Sequence, residues 1–359
     1  MKRVNYFPAL SGIRAIAAYM VFIHHKNPFS VEVFGNVIHN FFAEFHVGVT
    51  IFFVLSGFLI ANRYFEYDNF NYKSYLIKRF ARIYPMYFIL TTITFIFFAK
   101  FQLQSSFDDF KIYLTNITFI RGYFDDLKFS GIPQGWSLSV EEFFYFAAPL
   151  FFLLIKKNKI YLIIIPFFNI ILGILFVNTF SSNSNFGLMN NYNFMFDFTI
   201  FGRITEFFIG ISLYIVIKKN LNFPKFINFT IFGLILMFFW ILILSFIKPE
   251  NGFGTDVIFG KIINTFLLPL FGIAPLFYGL VKEKTIFSEC LSSKLFQLLG
   301  KSSYVFYLIH LGIFVIIIKK LSDNQIFLFV TLNLISIFLY LYVERSLNIF
   351  FRKNNLLNE

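Results

Sequence analysis

The sequence is poor in charge and in cysteine. Only 14% of its 359 residues are charged, whereas an ordinary soluble domain has about 25%. The single cysteine, Cys290, excludes an intramolecular disulfide framework and is most simply a free thiol. No small-residue cleavage site precedes the first polar loop, so we expect no signal peptide. With no repeat, linker or appended soluble domain in view, residues 1–359 are expected to form a single transmembrane domain.

The chain is rich in long apolar runs instead, and 58% of its residues are hydrophobic. Such runs reach bilayer-spanning length near residues 8–25, 41–61, 83–100, 137–155, 160–177, 199–217, 227–247, 262–281, 303–318 and 325–343. They predict an all-α polytopic membrane protein, with about ten transmembrane helices in one bundle.

The basic residues indicate the orientation. A cytoplasmic N-terminus puts twenty of the 31 lysines and arginines inside and nine outside, with Arg14 and Arg203 within helices. The positive-inside rule therefore predicts a cytoplasmic-membrane protein with both termini in the cytoplasm. The net charge of +12 is a topology signal and indicates no nucleic acid partner. Segments 101–136 and 178–198 are then outer loops, and 282–302 is an inner, interfacial segment.

The first apolar run carries two polar residues at a helical spacing. Arg14 and His25 are eleven residues apart, so in a helix they share one face with about 16 Å between them. Charge inside a membrane helix is expensive and usually functional. Snorkelling of Arg14 to one interface, with His25 at the other, explains the spacing equally well. His24 is rotated by about 100° from that face and is expected to matter little.

Two further segments carry candidate chemistry. Arg79 and Arg82 are neighbours on one helical face of a predicted inner loop, where they are either ordinary membrane anchors or a phosphate site for a nucleotide-bearing cofactor. On the outer side, Ser139 and Glu142 have capping-box spacing. That spacing does not explain Glu141, which is placed to orient the imidazole of His25 as a general base.

Taken together, these motifs resemble the integral-membrane acyltransferase family three. Five landmarks in the family's order carry the resemblance: Arg14 with His25, FVLSGFL at 53–59, KRFARIYP at 78–85, WSLSVEEFFY at 136–145 and YVFYLIH at 304–310. The chain departs from the family at Ser11, where many members have Asp, and at Ser346, where a proline often follows the pair equivalent to Glu344 and Arg345. The second departure puts any role for Glu344 in doubt.

The resemblance implies transfer of an acyl group, usually acetyl from acetyl-coenzyme A, to hydroxyls of a cell-surface or exported carbohydrate or glycolipid. It implies that His25 acts in acyl transfer with Arg14 as its polar partner, and that Arg79 and Arg82 bind the coenzyme. We add Glu141 or Glu142 as the partner of His25. Supporting roles are assigned to Trp136, Ser137, Tyr145, Ser56, Gly57 and His310. Because the sequence ends soon after the last apolar run, we expect the protein to deliver the acyl group itself or to use a separate extracytoplasmic acceptor protein.

Other polar residues have simpler explanations. Arg203 and Glu206, three residues apart, are expected to form a structural ion pair. His310 is expected to be a hydrogen-bonded packing residue rather than a catalytic one, and Ser56 with Gly57 to allow close helix approach. His24, His39 and His46 lack ligand-like spacing, so no metal is predicted.

Two rival functions remain at this point. A transporter for an anionic solute would line its path with arginines and acids, but paired broken helices in matching halves are not seen. A scaffold without chemistry leaves the alignment of Arg14 and His25 unexplained.

Overall fold

The computed structural model describes residues 6–66, 71–101, 110–182, 185–221, 224 and 226–356. Throughout these residues the regular structure is helical and no strand is formed, which confirms the predicted all-α class.

The first half of the chain begins with a helix that contains both Arg14 and His25. Its helices are α1 (Pro8–Lys26), α2 (Val31–Ala43), α3 (Gly48–Tyr64), α4 (Tyr72–Lys100), α5 (Phe110–Ile117), α6 (Trp136–Lys157), α7 (Tyr161–Phe180), α8 (Tyr192–Phe198) and α9 (Ile200–Lys218). A short 3₁₀ turn, Glu44–Val47, joins α2 to α3.

The second half contains shorter helices and two π-helical segments. They are α10 (Phe229–Ile247), α11 (Ile258–Ile262), α12 (Ala274–Lys282), α13 (Ile286–Ser292), α14 (Lys294–Ile309), α15 (Ile313–Lys319), α16 (Gln325–Leu339) and α17 (Arg345–Leu356). The segments Ile263–Ile273 and Tyr340–Glu344 are π-helical.

Among the described residues, eight helices are long and apolar enough to cross a membrane. A ninth span is formed if the bent pair α14 and α15 crosses as one. The helix α1, which carries Arg14 and two histidines, is not among these, and it accounts for the difference from the predicted count of about ten.

The ninth predicted helix, residues 303–318, is wrong as a single straight segment. α14 already begins at Lys294, and an 87° bend separates it from α15. Gly312 lies at this break with φ +78°, a left-handed conformation that glycine adopts without the steric cost of a side chain. Helical structure in the predicted interfacial segment 282–302 is confirmed by α13 and the start of α14.

The contacts divide the chain into two compact units. Unit 1 comprises Met1–Glu66, Phe151–Asn169 and Gly202–Ser303. Within it α1 packs on α3 and α13, and α10 packs on α12 and on the π-helical segment Ile263–Ile273. Gly57 allows a close approach of α3 to α9, because a Cβ atom there would lie 2.0 Å from the carbonyl oxygen of Phe207.

Unit 2 comprises Tyr67–Leu150, Ile170–Phe201 and Tyr304–Glu359. Its α4 packs on α5 and α17. Residues 102–109 of the predicted loop 101–136 lie outside the described residues. The rest of this loop is structured, because Ile112 and Leu127 bury their side chains with Phe95 of α4. The prediction of a loop at 178–198 is wrong at its end, where α8 forms and buries two of its residues.

Candidate functional site

Three histidine rings meet at one end of unit 1. His24 and His25 are the last aromatic residues of α1, and His46 lies in the turn Glu44–Val47 that precedes α3. The ring centroid of His24 is 4.6 Å from that of His25 and 5.3 Å from that of His46. The ring of Phe253 is 5.0 Å from His24 and so borders the same group. We refer to His24, His25 and His46 as the histidine cluster.

Within the cluster, the ring of His24 is hydrogen-bonded to the backbone. Its Nδ1 lies 2.5 Å from the carbonyl oxygen of Ala43. Because a carbonyl oxygen can only accept, Nδ1 carries the proton, and the neutral ring keeps Nε2 as its basic nitrogen. The ring of His25 is exposed, where a substrate can reach it.

A buried carboxylate lies behind the cluster. The Glu44 side chain is 0% exposed, and its Oε1 accepts a hydrogen bond of 2.7 Å from the backbone N–H of Gly254. Its Oε2 is 3.7 Å from Nδ1 of His46. That separation exceeds a hydrogen bond. Oε2 has no hydrogen-bond partner among the described residues, and the charge of Lys248 acts on this carboxyl group.

A second buried group brings positive charge to this region. Arg203 on α9 forms the expected ion pair with Glu206, with Nε 2.7 Å from Oε1, and both side chains are almost fully buried. The Arg203 Nη2 donates to Thr50 Oγ1 at 2.9 Å, and that hydroxyl donates to Asn264 Oδ1 at 2.7 Å. The Arg203 charge also acts on His46.

The predicted residues of α1 and α3 are therefore all in unit 1. Arg14 is half-buried and His25 exposed on α1, while Ser56 and Gly57 lie within α3. The remaining predicted residues, including Glu141 and Glu142, belong to unit 2. The pairing of His25 with either acid stays a prediction.

In unit 2, Arg79 and the two acids form one group, in which Arg79 is buried and both acids are half-buried. The guanidinium carbon of Arg79 lies 5.8 Å from the centroid of the Tyr145 ring, and its charge acts on Glu142. The Tyr145 hydroxyl donates to Glu141 Oε1. Arg79 is buried and Arg82 is exposed, so the two predicted phosphate ligands have different surroundings.

Two residues of the second half of the chain complete this group. The Tyr304 hydroxyl donates to the carbonyl oxygen of Ile83 at 2.8 Å. The charges of Glu344, Glu142 and Glu141 all act on Tyr304. The structure thus brings Glu344, whose role was in doubt, near the acids of α6.

This contact corrects the predicted positions of the two segments. The sequence puts Arg79 at the inner surface and Glu141 at the outer end of its helix. Yet the Tyr75 hydroxyl donates to the Tyr145 carbonyl at 2.8 Å, so the two segments lie side by side. The reason is that α4 has 29 residues, about 43 Å, and residues 110–135 pack along its later half. α6 consequently begins beside the middle of α4.

The expected capping box is also wrong. α6 begins at Trp136, so Ser139 lies inside the helix rather than at its N-cap. Glu142 Oε1 is buried without a hydrogen-bond partner among the described residues, and the Arg79 charge opposes the effects of burial and of Glu141 on this carboxyl group only in part.

The first turn of α6 anchors the break between α14 and α15. Ser137 Oγ lies 2.8 Å from the Tyr307 hydroxyl, and Gln134 Nε2 donates to the Tyr307 and Leu308 carbonyls. His310 is fully buried, with Nδ1 2.7 Å from the Tyr307 carbonyl oxygen, in agreement with the packing role expected for it. The Trp136 ring packs edge-on against Phe198.

Arg121 fixes the loop that leads into α6. It is fully buried and donates to Asn116 Oδ1 and the Ile132 carbonyl, each at 2.7 Å, and to the Ser130 carbonyl. Burial lowers the pKa of Arg121, while Tyr87 and Tyr307 act in the opposite direction. Its hydrogen bonds hold residues 116–132 together, which makes Arg121 structural.

Residues 7–343 match the family model described as an acyltransferase domain. The chain belongs to this acyltransferase family. It is similar to the O-acetyltransferase OatA of Staphylococcus aureus, strain NCTC 8325, with 26% identity over 339 residues, covering 90% of this chain and 53% of that protein. It also matches the peptidoglycan O-acetyltransferase OatA of Listeria monocytogenes, with 31% identity over 167 residues, 43% of this chain and 25% of that protein.

This member of the acyltransferase family spans about half the length of the curated relatives that it matches along most of its own length. No solved structure matches it. In the described part of the chain, no group of three or more His, Cys, Asp or Glu side chains is arranged to hold a metal ion.

Sequence reasoning did not bring Glu44 and His46 together with His24 and His25. One signal was available for Glu44, namely an acid inside an apolar run of spanning length. No local signal was available for its partner, since Gly254 is 210 residues away in the sequence.

Proposed function

We propose that this protein is a membrane O-acetyltransferase that moves an acetyl group from acetyl-coenzyme A to a carbohydrate hydroxyl. The histidine cluster is the observation that carries the proposal. Family membership supports the reaction class, and the names of the two relatives support acetyl as the group and a glycan such as peptidoglycan as the acceptor.

The exposed His25 acts as the general base. Its neutral imidazole accepts the proton of an acceptor hydroxyl while that oxygen attacks the thioester carbonyl. The carbon–sulfur bond then breaks, and the products are an acetyl ester and the coenzyme thiol, which takes up the proton. His24 positions His25 through the ring contact of 4.6 Å, and Arg14 supports the same helix.

The donor's phosphates bind at the arginines of α4. Arg82 is exposed and can present its guanidinium fork to phosphate oxygens. Arg79 is buried against Tyr145, so it adds positive charge behind Arg82, and its charge also acts on Glu142. Glu141 or Glu142 remains the proposed partner of His25, and the cytoplasmic position of both termini remains part of the proposal.

Transfer of labelled acetyl by the purified protein in nanodiscs tests this function. The assay supplies [¹⁴C]acetyl-coenzyme A and glycans extracted from the surface of the source cells, and it scores label that is released from the glycan by mild base as an ester. Wild-type protein is expected to transfer label to the glycan, whereas the His25→Ala variant is expected not to transfer it. Transfer at an equal rate by His25→Ala would reject His25 as the base, and no transfer by the wild type would reject the function.

A further inference from the structure

A cavity with both polar and apolar walls opens in unit 1. It has a volume of about 470 Å³ and lies between α2 and the residues at the C-terminal end of α10. Its walls include Asn36, Asn40, Ser245, Phe246, Lys248 and Glu250. Small-molecule sites usually measure about 300–1,000 Å³, so the cavity has the size of a ligand site. Neither the catalytic proposal nor the family match assigns it a role.

The lining of the cavity suits a sugar ring. Two amides, a hydroxyl, an ammonium and a carboxylate offer both donors and acceptors to hydroxyl groups. The Phe246 side chain is 66% exposed at the same wall and offers an aromatic face to the C–H side of a pyranose. A purely anionic or purely apolar ligand would leave half of these groups without a partner.

The position of the cavity connects it to the histidine cluster. The charge of Lys248 acts on Glu44, and Glu44 lies 3.7 Å from His46. The chain that follows Lys248 also reaches the cluster, since Gly254 donates to Glu44 and the Phe253 ring contacts His24. A ligand in the cavity would therefore contact residues 248–250, the start of the segment that reaches the histidine cluster at Phe253 and Gly254.

We infer that this cavity binds the carbohydrate acceptor, with Asn36, Asn40 and Lys248 contacting hydroxyls and Phe246 stacking on a sugar ring. The inference rests on the proposed acetyl transfer and adds the acceptor's place to it. The shared ligand chemistry is a hydroxyl-rich pyranose, which a membrane glycolipid or a water-soluble glycan can supply.

Acceptor kinetics with two glycan fractions test the inference. Surface glycans of the source cells are separated into a butanol-soluble glycolipid fraction and a water-soluble fraction, and each is titrated with labelled acetyl-coenzyme A. Asn40→Ala and Phe246→Ala are each expected to raise the acceptor KM about five- to ten-fold, the effect of losing one or two hydrogen bonds or a stacked ring. The donor KM should stay within about two-fold, because neither side chain belongs to the proposed phosphate site at Arg79 and Arg82.

Phe239→Ala is the matched control. Phe239 is an exposed phenylalanine on the same helix, 48% accessible, and does not line the cavity. Its acceptor KM should equal that of the wild type. The fraction that shows the KM effect identifies the source of the sugar. Unchanged acceptor KM for both cavity variants, with active wild-type protein, would overturn the inference alone, and an inactive wild-type protein would overturn the proposed function with it.

Discussion

Removing Arg203 while keeping Glu206 should destabilise unit 1 strongly. In Arg203→Met, the Glu206 carboxylate stays 0% exposed but loses the guanidinium 2.7 Å away. Leaving one charge of a buried pair uncompensated costs about 3–5 kcal/mol. Thr50 also loses the donor that now lies 2.9 Å from its hydroxyl, which adds about 1 kcal/mol.

The double variant separates this cost from any loss of packing. Replacing both members of a buried pair by apolar residues of similar volume is often neutral or stabilising. Arg203→Met with Glu206→Met should therefore recover most of the stability lost by Arg203→Met alone. The double-mutant cycle should show a coupling of about 2–4 kcal/mol between the two positions.

Thermal unfolding of the purified protein in nanodiscs measures the effect. We expect the midpoint of Arg203→Met to fall by roughly 10 °C and that of the double variant to return close to the wild type. The control is Arg63→Met, which removes an exposed arginine of α3 and should change the midpoint by only about 1–2 °C. If Arg203→Met unfolds at the wild-type temperature, the ion pair does not stabilise the fold and the reasoning fails.

Three further predictions address the site and the packing. His25→Ala should lower acetyl turnover about 10²- to 10⁴-fold with coenzyme binding retained. His24→Ala should lower turnover about ten-fold, because the His25 ring loses its neighbour, although the sequence alone predicts a small effect. Equal turnover of the two variants in the labelled-acetyl assay would contradict this prediction. Arg82→Ala should weaken coenzyme binding about ten-fold, since it removes a charge-assisted contact, and should leave the unfolding midpoint unchanged. Arg79→Ala should lower the unfolding midpoint instead. Calorimetric titration measures the binding and thermal unfolding the midpoint, and the two variants would show the reverse pattern if the buried arginine were the ligand. Gly57→Ala should destabilise the protein by about 1–3 kcal/mol, because its Cβ would meet backbone atoms of α9, and a wild-type unfolding midpoint would show that this helix contact yields without strain.

The sequence predicts well what depends on local pattern. Apolar length found the spanning helices after α1, since hydrophobic periods and bilayer thickness are local properties. The i to i+3 spacing also found the Arg203 and Glu206 pair, because three residues place two side chains on one helical face.

The failures share a different cause. The 136–145 motif was placed at a membrane surface far from Arg79, because its depth was judged from the ends of the apolar run. The actual depth depends on how residues 110–135 pack along α4 and on the buried anchor Arg121, which no periodicity reports. Likewise, the bend at residues 310–312 depends on one left-handed glycine inside an apolar stretch.

The choice between an enzyme and a passive scaffold can be argued from the free energy needed to bury charged side chains. Unit 1 buries Glu44, Arg203 and Glu206 almost completely, and buried ions are usually no better than apolar residues for stability. A helix bundle needed only for support would gain by losing them. Their presence is explained if these charges serve the reaction, and both Arg203 and Glu44 act on the histidine cluster. Orienting and tuning imidazole bases is a task that fixed charges perform in enzymes, whereas a scaffold has no use for it.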